Sequence, residues 1–216
     1  MSPAVRTELT RLREKASNDR AALDDLLDSS CVGHFGLVDR TGRPVVIPTA
    51  VVRHGDRILA HGSTGSPWMR LLATGAPTCL AVTAVDGLLV ARSAFESSLH
   101  YRSAVLFGSC QPIEGTDKQR ALDVITEALL PGRTAEVRRP TDRELAATLV
   151  LELAITEWSL KISDGWPDDP PEDVAGTAWA GVVPQTTRYE APLPAPDLPV
   201  GVAVPPSVAA LGPDAP

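Results

Sequence analysis

The sequence predicts a mainly β domain of the α+β class, in which six or seven strands form a small barrel with flanking helices. β-branched and aromatic runs recur through residues 31–110, turn-forming residues separate these runs, and strand character returns at 148–162 after two helical segments. Strands and helices do not alternate as they do in a doubly wound α/β domain. The 216 residues fit one domain of about 150 residues with extensions.

Two helices are predicted before the barrel. Ser2-Pro3 is typical of a helix start, and this helix would carry three apolar residues on one face: Val5, Leu9 and Leu12. Asp19 is expected to begin a second helix, which would bury another three: Leu23, Leu26 and Leu27. We therefore interpret residues 1–18 as a helical extension and residues 19–165 as the main domain.

The first half of the barrel is predicted to be a β meander. Strand-like runs stand at 31–38, 45–52 and 57–60, and the residues 39–42 have turn composition. Pro48 cannot donate to a ladder, so its strand is expected to lie at an edge or to be interrupted beside something other than a strand. A flat ligand would suit that place.

The segment His61-Gly62-Ser63-Thr64-Gly65-Ser66 leaves a predicted strand and enters a predicted helix at 68–72. Two glycines allow tight turns, three hydroxyls supply neutral donors, and the first turn of a helix offers free N–H groups. These features favour an anion site that would suit a phosphate. An ordinary N-cap within a loop accounts for the same residues, so both interpretations stay open.

The second half of the barrel is predicted to begin with a tight hairpin. Asp86-Gly87 stands between the apolar runs 78–85 and 88–92, which is a strong signal for a two-residue turn. A further strand is expected at 103–110, after the polar segment 93–102.

Two capped helices and two strands are expected to complete the domain. Thr116 with Gln119, and Thr141 with Glu144, have the spacing of a capping box. The first helix would end at Pro131-Gly132 and line one face with three residues: Leu122, Ile125 and Leu129. The strands follow at 148–155 and 157–162.

Composition and charge exclude several function classes. The net charge is −7 and no basic cluster is longer than Arg138-Arg139, so a nucleic-acid platform is not expected. No apolar run reaches the ~18 residues of a membrane span and no signal peptide is evident, so we expect no membrane partner and a cytoplasmic location. Three cysteines lie in strand-like runs and are expected to be buried thiols: Cys31, Cys79 and Cys110.

Metal and hydrolase chemistry are also poorly supported. No metal site is predicted, because the four histidines are too scattered for zinc: His34, His54, His61 and His100. No Gly-x-Ser-x-Gly elbow or Ser-His-Asp arrangement can be identified.

Five segments in a fixed order resemble one known family. They are Arg43–Thr49, His61–Ser66, Asp86–Phe95, Tyr101–Ser103 and Trp179–Pro184. The chain resembles the FMN-binding split-barrel proteins, and within them the pyridoxamine 5'-phosphate oxidase-like branch related to the nitroimidazole reductases. The resemblance covers the chain from about Asp19 to about Pro184.

The resemblance implies a homodimer that holds two FMN molecules in grooves between the barrels. The backbone of one strand would run along the isoalloxazine ring, through Val46, Ile47, Pro48 and Thr49. The loop would approach the ribityl chain and phosphate, through His61, Gly62, Ser63, Thr64 and Ser66. Arg70, one helical turn later, is a candidate phosphate partner, or else a solvated residue on an exposed helix face.

The remaining candidates come from later in the chain. Tyr101, Arg102 and Ser103 stand where a family strand supplies polar contacts to the flavin, although a polar strand start explains them too. Lys161 would place a cation near the flavin pyrimidine edge, or is simply solvated. Trp179 would cover a flavin edge across the dimer, or is a core tryptophan. No residue is assigned a catalytic role.

The chain departs from the family pattern at two places. Pro67 stands where relatives often have a basic residue, and Glu96-Ser97-Ser98 stands where relatives are often His-rich. Both changes disfavour an anionic cofactor. A deazaflavin or haem therefore remains an alternative to FMN, with His100 as a proton donor or axial ligand.

The predicted function is an FMN-dependent oxidoreductase that passes electrons from a reduced nicotinamide through the flavin to a small-molecule acceptor. The alternatives are a non-catalytic protein that stores or senses flavin, deazaflavin or haem, and a cofactor-free interaction module. Oxidation of pyridoxamine 5'-phosphate itself is less expected, since Arg188 is the only nearby cation for a substrate phosphate.

The C-terminal part divides into two predicted segments. Residues 166–190 are expected to pack on the barrel or on the dimer partner. Residues 191–216 hold 8 prolines and little charge, which is typical of an extended arm or a disordered tail.

Overall fold

The computed structural model describes residues 6–8 and 11–212 of the chain. Its strands are β1 (Ala16–Ser17), β2 (Val32–Val38), β3 (Pro44–Ala50), β4 (Val52–His54), β5 (Arg57–Ser63), β6 (Pro77–Val90), β7 (Ser98–Pro112), β8 (Thr148–Ala154), β9 (Glu157–Ser163) and β10 (Gly181–Pro184). Its α-helices are α1 (Arg20–Asp28), α2 (Pro67–Leu72), α3 (Gly115–Leu129), α4 (Asp142–Ala146), α5 (Pro171–Val174) and α6 (Pro206–Ala209). Short 3₁₀ turns cover Arg13–Lys15 and Arg133–Ala135.

The strands form one antiparallel sheet that curls without closing. The main path runs β3-β2-β6-β7-β8-β5-β4, while β9 also pairs with β7, β1 with β9 and β10 with β6. The long strand β7 joins the two halves, because residues 101–107 pair with β9 and residues 110–112 pair with β8. The predicted mainly β split barrel is confirmed, with short strands β1, β4 and β10 added to the predicted set.

The barrel interior is filled by alternate residues of the strands and by two plugging helices. Asp19 caps α1 by accepting a hydrogen bond from the Ala21 amide at 2.9 Å. The leucines expected on that helix are buried as predicted: Leu23, Leu26 and Leu27. The helix α2 buries Met69 and Leu72 in the same core. No helix among the described residues is long and apolar enough to cross a membrane.

A second, smaller apolar cluster lies on the other side of β5 and β8. There α3 packs on the sheet, and the buried residues are Val52, Leu59, Ala121, Ile125 and Val150. Ile125 is buried as predicted, whereas Leu129 at the end of α3 is exposed. The sheet half formed by β4, β5 and β8 is therefore apolar on both faces, which fixes it between the barrel core and α3.

The predicted hairpin turn at Asp86-Gly87 is wrong. Residues 77–90 form one continuous strand with a bulge between Val85 and Gly87, and the chain reverses later, at residues 91–97. Gly87 lies opposite Pro184 of β10, and a Cβ at Gly87 would meet the Val183 carbonyl oxygen at 2.7 Å. The glycine is needed for this close strand approach, and not for a turn.

One predicted capping box forms and the other does not. Thr141 accepts a hydrogen bond from the Glu144 amide at 3.3 Å while the Glu144 carboxylate accepts from the Thr141 amide at 2.8 Å. The helix α3 instead has Glu114 at its N-cap and no side-chain cap. It begins at Gly115, with a positive φ of 60°, so Thr116 lies inside the helix and cannot cap it.

The expectation of three buried thiols is wrong for two of the cysteines. Cys110 is fully buried in the barrel, but Cys31 is exposed and Cys79 is half-buried. Burial raises the pKa of Cys110 to about 12. Cys31 precedes β2 and therefore escapes the sheet's burial pattern.

The described residues near the two ends of the chain contain little regular structure. Val5 and Leu9, predicted to lie on the first helix, are outside the described residues, and Leu12 has a left-handed backbone with φ 55°. Within residues 166–190, β10 pairs with β6 of the barrel. Beyond it the chain has no strand up to residue 212, and it returns to the body through Ser207 of α6, which is 4% exposed.

Candidate functional site

The strand β3 presents an open backbone edge. Backbone hydrogen bonds from Val51 to Cys31 at 3.1 Å and from Asp39 to Arg43 at 2.8 Å set the alternation of the β2–β3 ladder. In this register, every second residue of β3 turns its backbone N–H and C=O away from β2. These residues include Val46, Pro48 and Ala50. Pro48, which lacks an N–H, thus stands at an edge position, as its presence in the strand predicted.

The strand β5 also presents an open backbone edge. Backbone hydrogen bonds from Ile155 to Asp56 at 2.8 Å and from Thr64 to Ala147 at 2.9 Å set the β5–β8 ladder. His61 and Ser63 therefore point their backbone groups away from β8. The paired part of β4 ends at Val52, opposite Leu59, so β5 continues past it.

These two edges flank the split of the barrel. Within residues 11–212 no backbone hydrogen bond joins β3 to β5. The β3 segment 46–49 and the loop 61–66 were predicted to form one site, and the structure places them on opposite sides of this split. Open strand edges carry rows of unpaired N–H and C=O groups that suit a planar heterocycle with alternating donors and acceptors.

The loop 61–66 is less free to bind an anion through its backbone than predicted. The Gly65 amide donates to the Ser63 hydroxyl at 3.1 Å, the Ser66 amide donates to the Ser63 carbonyl at 3.0 Å, and Thr64 bonds Ala147. Ser66 is the N-cap of α2, but its side chain makes no capping bond. The hydroxyls of Thr64 and Ser66 have no partner in the described structure, so they are available to a ligand together with the backbone amides of His61 and Ser63.

Arg70 does not turn back onto the loop. It lines a cleft of about 420 Å³ between α2 and the turn that joins β2 to β3, together with Arg40 and Trp68. No ion pair or hydrogen bond of the Arg70 or Arg40 side chain occurs within the described residues.

The predicted cluster 101–103 is divided between the two faces of β7. Ala104 and Leu106 point into the core, so Tyr101 and Ser103 point outward. Lys161 lies directly opposite Ser103 on β9, and its Nζ is 5.7 Å from the centroid of the Tyr101 ring. Tyr101, Ser103 and Lys161 therefore form one polar group, which we call the outer cluster.

Arg102 points to the opposite face, where Asp86 holds it. In the sequence, Asp86 indicated only a turn. The Nε and Nη2 of Arg102 donate to the two carboxylate oxygens of Asp86 at 3.0 and 2.9 Å. This bidentate pair raises the pKa of Arg102. Arg102 is thereby committed to an internal ion pair.

The outer cluster is too far from β3 of its own chain to share one ring with it. The strands β2 and β6 lie between β3 and β7, so their rows are separated by about 14 Å at ordinary strand spacing. The structure thus brings together 46–49 with 61–66, and Tyr101 with Ser103 and Lys161, but keeps the two groups apart.

Trp179 and His100 lie near the β6–β7 turn. The Trp179 indole is 65% exposed and folds over Gly181, where a Cβ would come within 2.9 Å of the ring. The core interpretation of Trp179 is therefore wrong. The Nε2 of His100 is 2.8 Å from the Gly165 carbonyl, so one ring nitrogen is engaged in holding the segment after β9.

The side chain of His61 lies on the α3 face of the sheet. Ile58 and Ala60 point into the barrel core and Leu59 points toward α3, so the alternation directs His61 to that second face. It lines a cavity of about 460 Å³ with apolar residues of α3 and α4 and with Arg138. Arg138 donates to both Glu144 oxygens, at 2.8 and 2.6 Å, and this lowers the pKa of Glu144 to about 2.

Sequence reasoning missed the roles of several residues at the site. The sequence pattern predicts Arg40 only as part of a turn, and it indicates Arg138 only as one half of a basic pair too small to bind nucleic acid. Asp169, whose side chain is fully buried, accepts from the Arg92 amide and guanidinium at 2.9 Å each and ties the segment after β9 to the β6–β7 turn. Of these residues, only the two arginines could have been found from the sequence, because each is a cation beside a turn that contains glycine or proline.

Comparison with known proteins decides the family. The model of the pyridoxamine 5'-phosphate oxidase family matches residues 19–162. The chain belongs to the pyridoxamine 5'-phosphate oxidase family. Members of this family share the flavin-binding split-barrel fold, and the family match covers all of the predicted main domain except its last residues.

Two solved structures resemble this family member over nearly its whole length. The FAD and heme binding protein from Mycobacterium smegmatis is 55% identical, with a TM-score of 0.88 over 91% of this chain and 97% of that one. The flavocytochrome Anf3 from Azotobacter vinelandii is 33% identical, with a TM-score of 0.89 over 97% of each chain. A 5-nitroimidazole antibiotic resistance protein from Bacteroides thetaiotaomicron, at 18% identity and a TM-score of 0.58, shares the fold. A comparison with curated proteins found no match.

Proposed function

We propose that this chain is a dimeric, flavin-dependent redox protein that takes electrons from a reduced nicotinamide and passes them to a small acceptor. The observation that carries the proposal is the split of the barrel, where β3 and β5 each present an open backbone edge. Family membership and the flavin named for both similar structures support it.

The residues at the split fit an isoalloxazine ring. Val46 offers an N–H and a C=O, Pro48 a C=O, and Ala50 an N–H, so this edge presents both donors and acceptors to the polar groups of a pyrimidine ring. Bound there, a flavin would supply hydride acceptance and one-electron transfer. The protein's part is to orient the ring through this edge, and to meet the ribityl phosphate with the Thr64 and Ser66 hydroxyls.

A second copy of the chain would complete the site. The outer cluster cannot reach the ring held by its own β3, but in a dimer it would meet the ring of the other copy. Lys161 would then place a positive charge beside the flavin, which favours the anionic reduced ring. Large apolar side chains on the outside of the barrel suit such an interface, among them Val46 at 64% exposure and Leu88 at 48%.

As the bound cofactor, FAD is a better candidate than FMN, which the sequence predicted. The 55% identical structure is named for FAD. Pro67 removes a cation next to the loop, and two arginines in the adjacent cleft supply positive charge further along. The cofactor is therefore proposed to be FAD, with FMN and a deazaflavin as the alternatives to be measured.

The flavin proposal is tested by titrating the full-length chain with FAD, FMN and a deazaflavin, following fluorescence, and then adding NADH or NADPH. Binding at one flavin per chain with nicotinamide oxidation supports a redox enzyme. Binding without turnover would leave a storage or sensing protein, and absence of flavin binding would contradict the proposal.

Two variants at one position test the open edge itself. Val46→Pro removes an N–H that faces the split and that β2 does not use, so it should weaken flavin binding while the fold persists. Val46→Ala keeps the N–H and should bind flavin as the original chain does. Equal binding by both variants would show that the β3 edge does not hold the ring.

A second candidate function is haem binding, alone or beside flavin. Of the two similar structures, one is named as a haem-binding protein and the other as a flavocytochrome. In this chain, His61 lines a cavity whose apolar walls include Leu122, Val137 and Leu145. An imidazole, apolar walls and a nearby arginine suit a haem with its propionates. Titration of the chain with haem should give a Soret band. The His61→Ala variant should lose this band, whereas the His54→Ala variant, which changes an exposed histidine, should keep it.

A further inference from the structure

The cleft between α2 and the β2–β3 turn combines positive charge with an apolar floor. Arg40 and Arg70 stand on its walls, and its floor is formed by Leu37, Val45, Trp68 and Leu71. Its volume of about 420 Å³ suits a mononucleotide. Within residues 11–212, neither arginine side chain forms a hydrogen bond or an ion pair with another residue.

The single acid that lines this cleft, Asp39, is engaged in the β2–β3 turn. Asp39 Oδ1 accepts from the Thr41 amide and hydroxyl at 2.7 Å each and from the Arg43 amide at 3.0 Å. These bonds hold the β2–β3 turn and lower the pKa of Asp39. One oxygen of the Asp39 carboxylate is thus bonded within the turn, and the two guanidinium groups outweigh its single negative charge, which leaves a net positive site on a chain of net charge −7.

The cleft adjoins the proposed flavin site at both of its sides. Val45 on its floor precedes Val46, whose backbone lies on the open edge, and Pro67 on its wall follows Ser66 of the loop. A ligand with its ring at the split and a phosphate beside Ser66 would therefore enter the cleft if it were longer than a mononucleotide.

We propose that this cleft binds the adenylate half of FAD, an inference that rests on the proposed function. Arg40 and Arg70 grip the phosphate that belongs to the adenylate half, because guanidinium groups pair with phosphate through paired donors. The adenine lies on the apolar floor, beside the half-buried Trp68 indole, which is backed by Phe35 at a centroid distance of 6.0 Å. The cleft is thus the part of the chain that distinguishes FAD from FMN.

The test compares dissociation constants for FAD and FMN in the full-length chain and in the double variant Arg40→Ala with Arg70→Ala. The original chain should prefer FAD by about tenfold or more, and the double variant should lose that preference while its FMN affinity is unchanged. Arg120→Ala with Arg188→Ala, which removes two exposed arginines elsewhere, is the matched control and should keep the preference.

Competition with ADP separates this inference from the flavin proposal. ADP should displace FAD from the original chain, bind without flavin, and lose its binding in the double variant. Equal affinity for FAD and FMN in the original chain, or equal weakening of both flavins in the double variant, would overturn the inference while leaving a flavin site. If neither flavin binds, the proposed function fails, and the ADP measurement alone then decides the cleft.

Discussion

Ser207 and Glu136 join the C-terminal arm to the body of the protein. The Ser207 amide donates to Glu136 Oε1 at 2.9 Å and its hydroxyl donates to Oε2. Ser207 is nearly buried, although residues 183–204 before it are exposed throughout. The carboxylate of Glu136, which follows the 3₁₀ turn after α3, therefore holds the far end of a long irregular segment.

The first prediction concerns the pH dependence of this junction. The two Ser207 bonds lower the pKa of Glu136, so the folded state favours its ionised form. A group with a lowered pKa stabilises the fold above its ordinary value, near about 4.3, and loses that contribution as the pH falls through the lowered value. Limited proteolysis should therefore cut the arm faster at low pH than at neutral pH.

Ser207→Ala should produce the same fast cleavage already at neutral pH. Thr187→Ala, an exposed residue of the same arm without hydrogen bonds in the described structure, should behave like the original chain. Unchanged cleavage in Ser207→Ala would show that the arm is held elsewhere.

A second prediction concerns the strand β10. Gly87→Ala places a methyl group 2.7 Å from the Val183 carbonyl oxygen, a backbone atom that cannot rotate away. The expected cost is about 1–3 kcal/mol, as for overpacking, with β10 shifted from β6. Urea unfolding measures the stability, and a change in Trp179 fluorescence reports the shift.

The matched control is Gly165→Ala, where a Cβ meets no atom within 4 Å. It should leave both readouts close to those of the original chain. Equal stability of the two alanine variants would contradict the close approach at Gly87.

A third prediction separates the two capping-box motifs. Thr141→Ala removes a formed box at α4 and should cost about 0.5–2 kcal/mol. Thr116→Ala changes a threonine that caps nothing and should have little effect. Hydrogen exchange should rise in α4 for the first variant only, and a matching rise in α3 for the second would contradict the observed helix start.

A fourth prediction concerns thiol reactivity. Because burial raises the pKa of Cys110 to about 12, its thiolate is scarce near pH 8, and the side chain is also enclosed by the barrel. Iodoacetamide should label the exposed Cys31 quickly and Cys110 only after unfolding. Mass spectrometry of a labelling time course measures both, and rapid labelling of Cys110 in the folded protein would contradict its burial.

Elements with short-range signals were predictable from sequence. The Asp19 cap and its buried leucines, the Thr141 box, and the strands of the meander all follow from neighbouring residues. The Asp86-Gly87 turn failed because a partner strand nearly 100 residues later uses the same glycine. The tie of Arg102 to Asp86 likewise depends on strand pairing that no local pattern encodes.

The sequence by itself therefore determined the class of fold, the order of most strands, the family, and the two segments 46–49 and 61–66 that flank the split. These depend on periodicity, turn residues and motif order, which are local properties. Only the tertiary structure decided that Tyr101 and Ser103 face away from Arg102, that Arg70 joins Arg40 instead of the loop, and that His61 faces α3. Each of these depends on strand register and on which sheet face is buried, and both are set by packing between residues far apart in the chain.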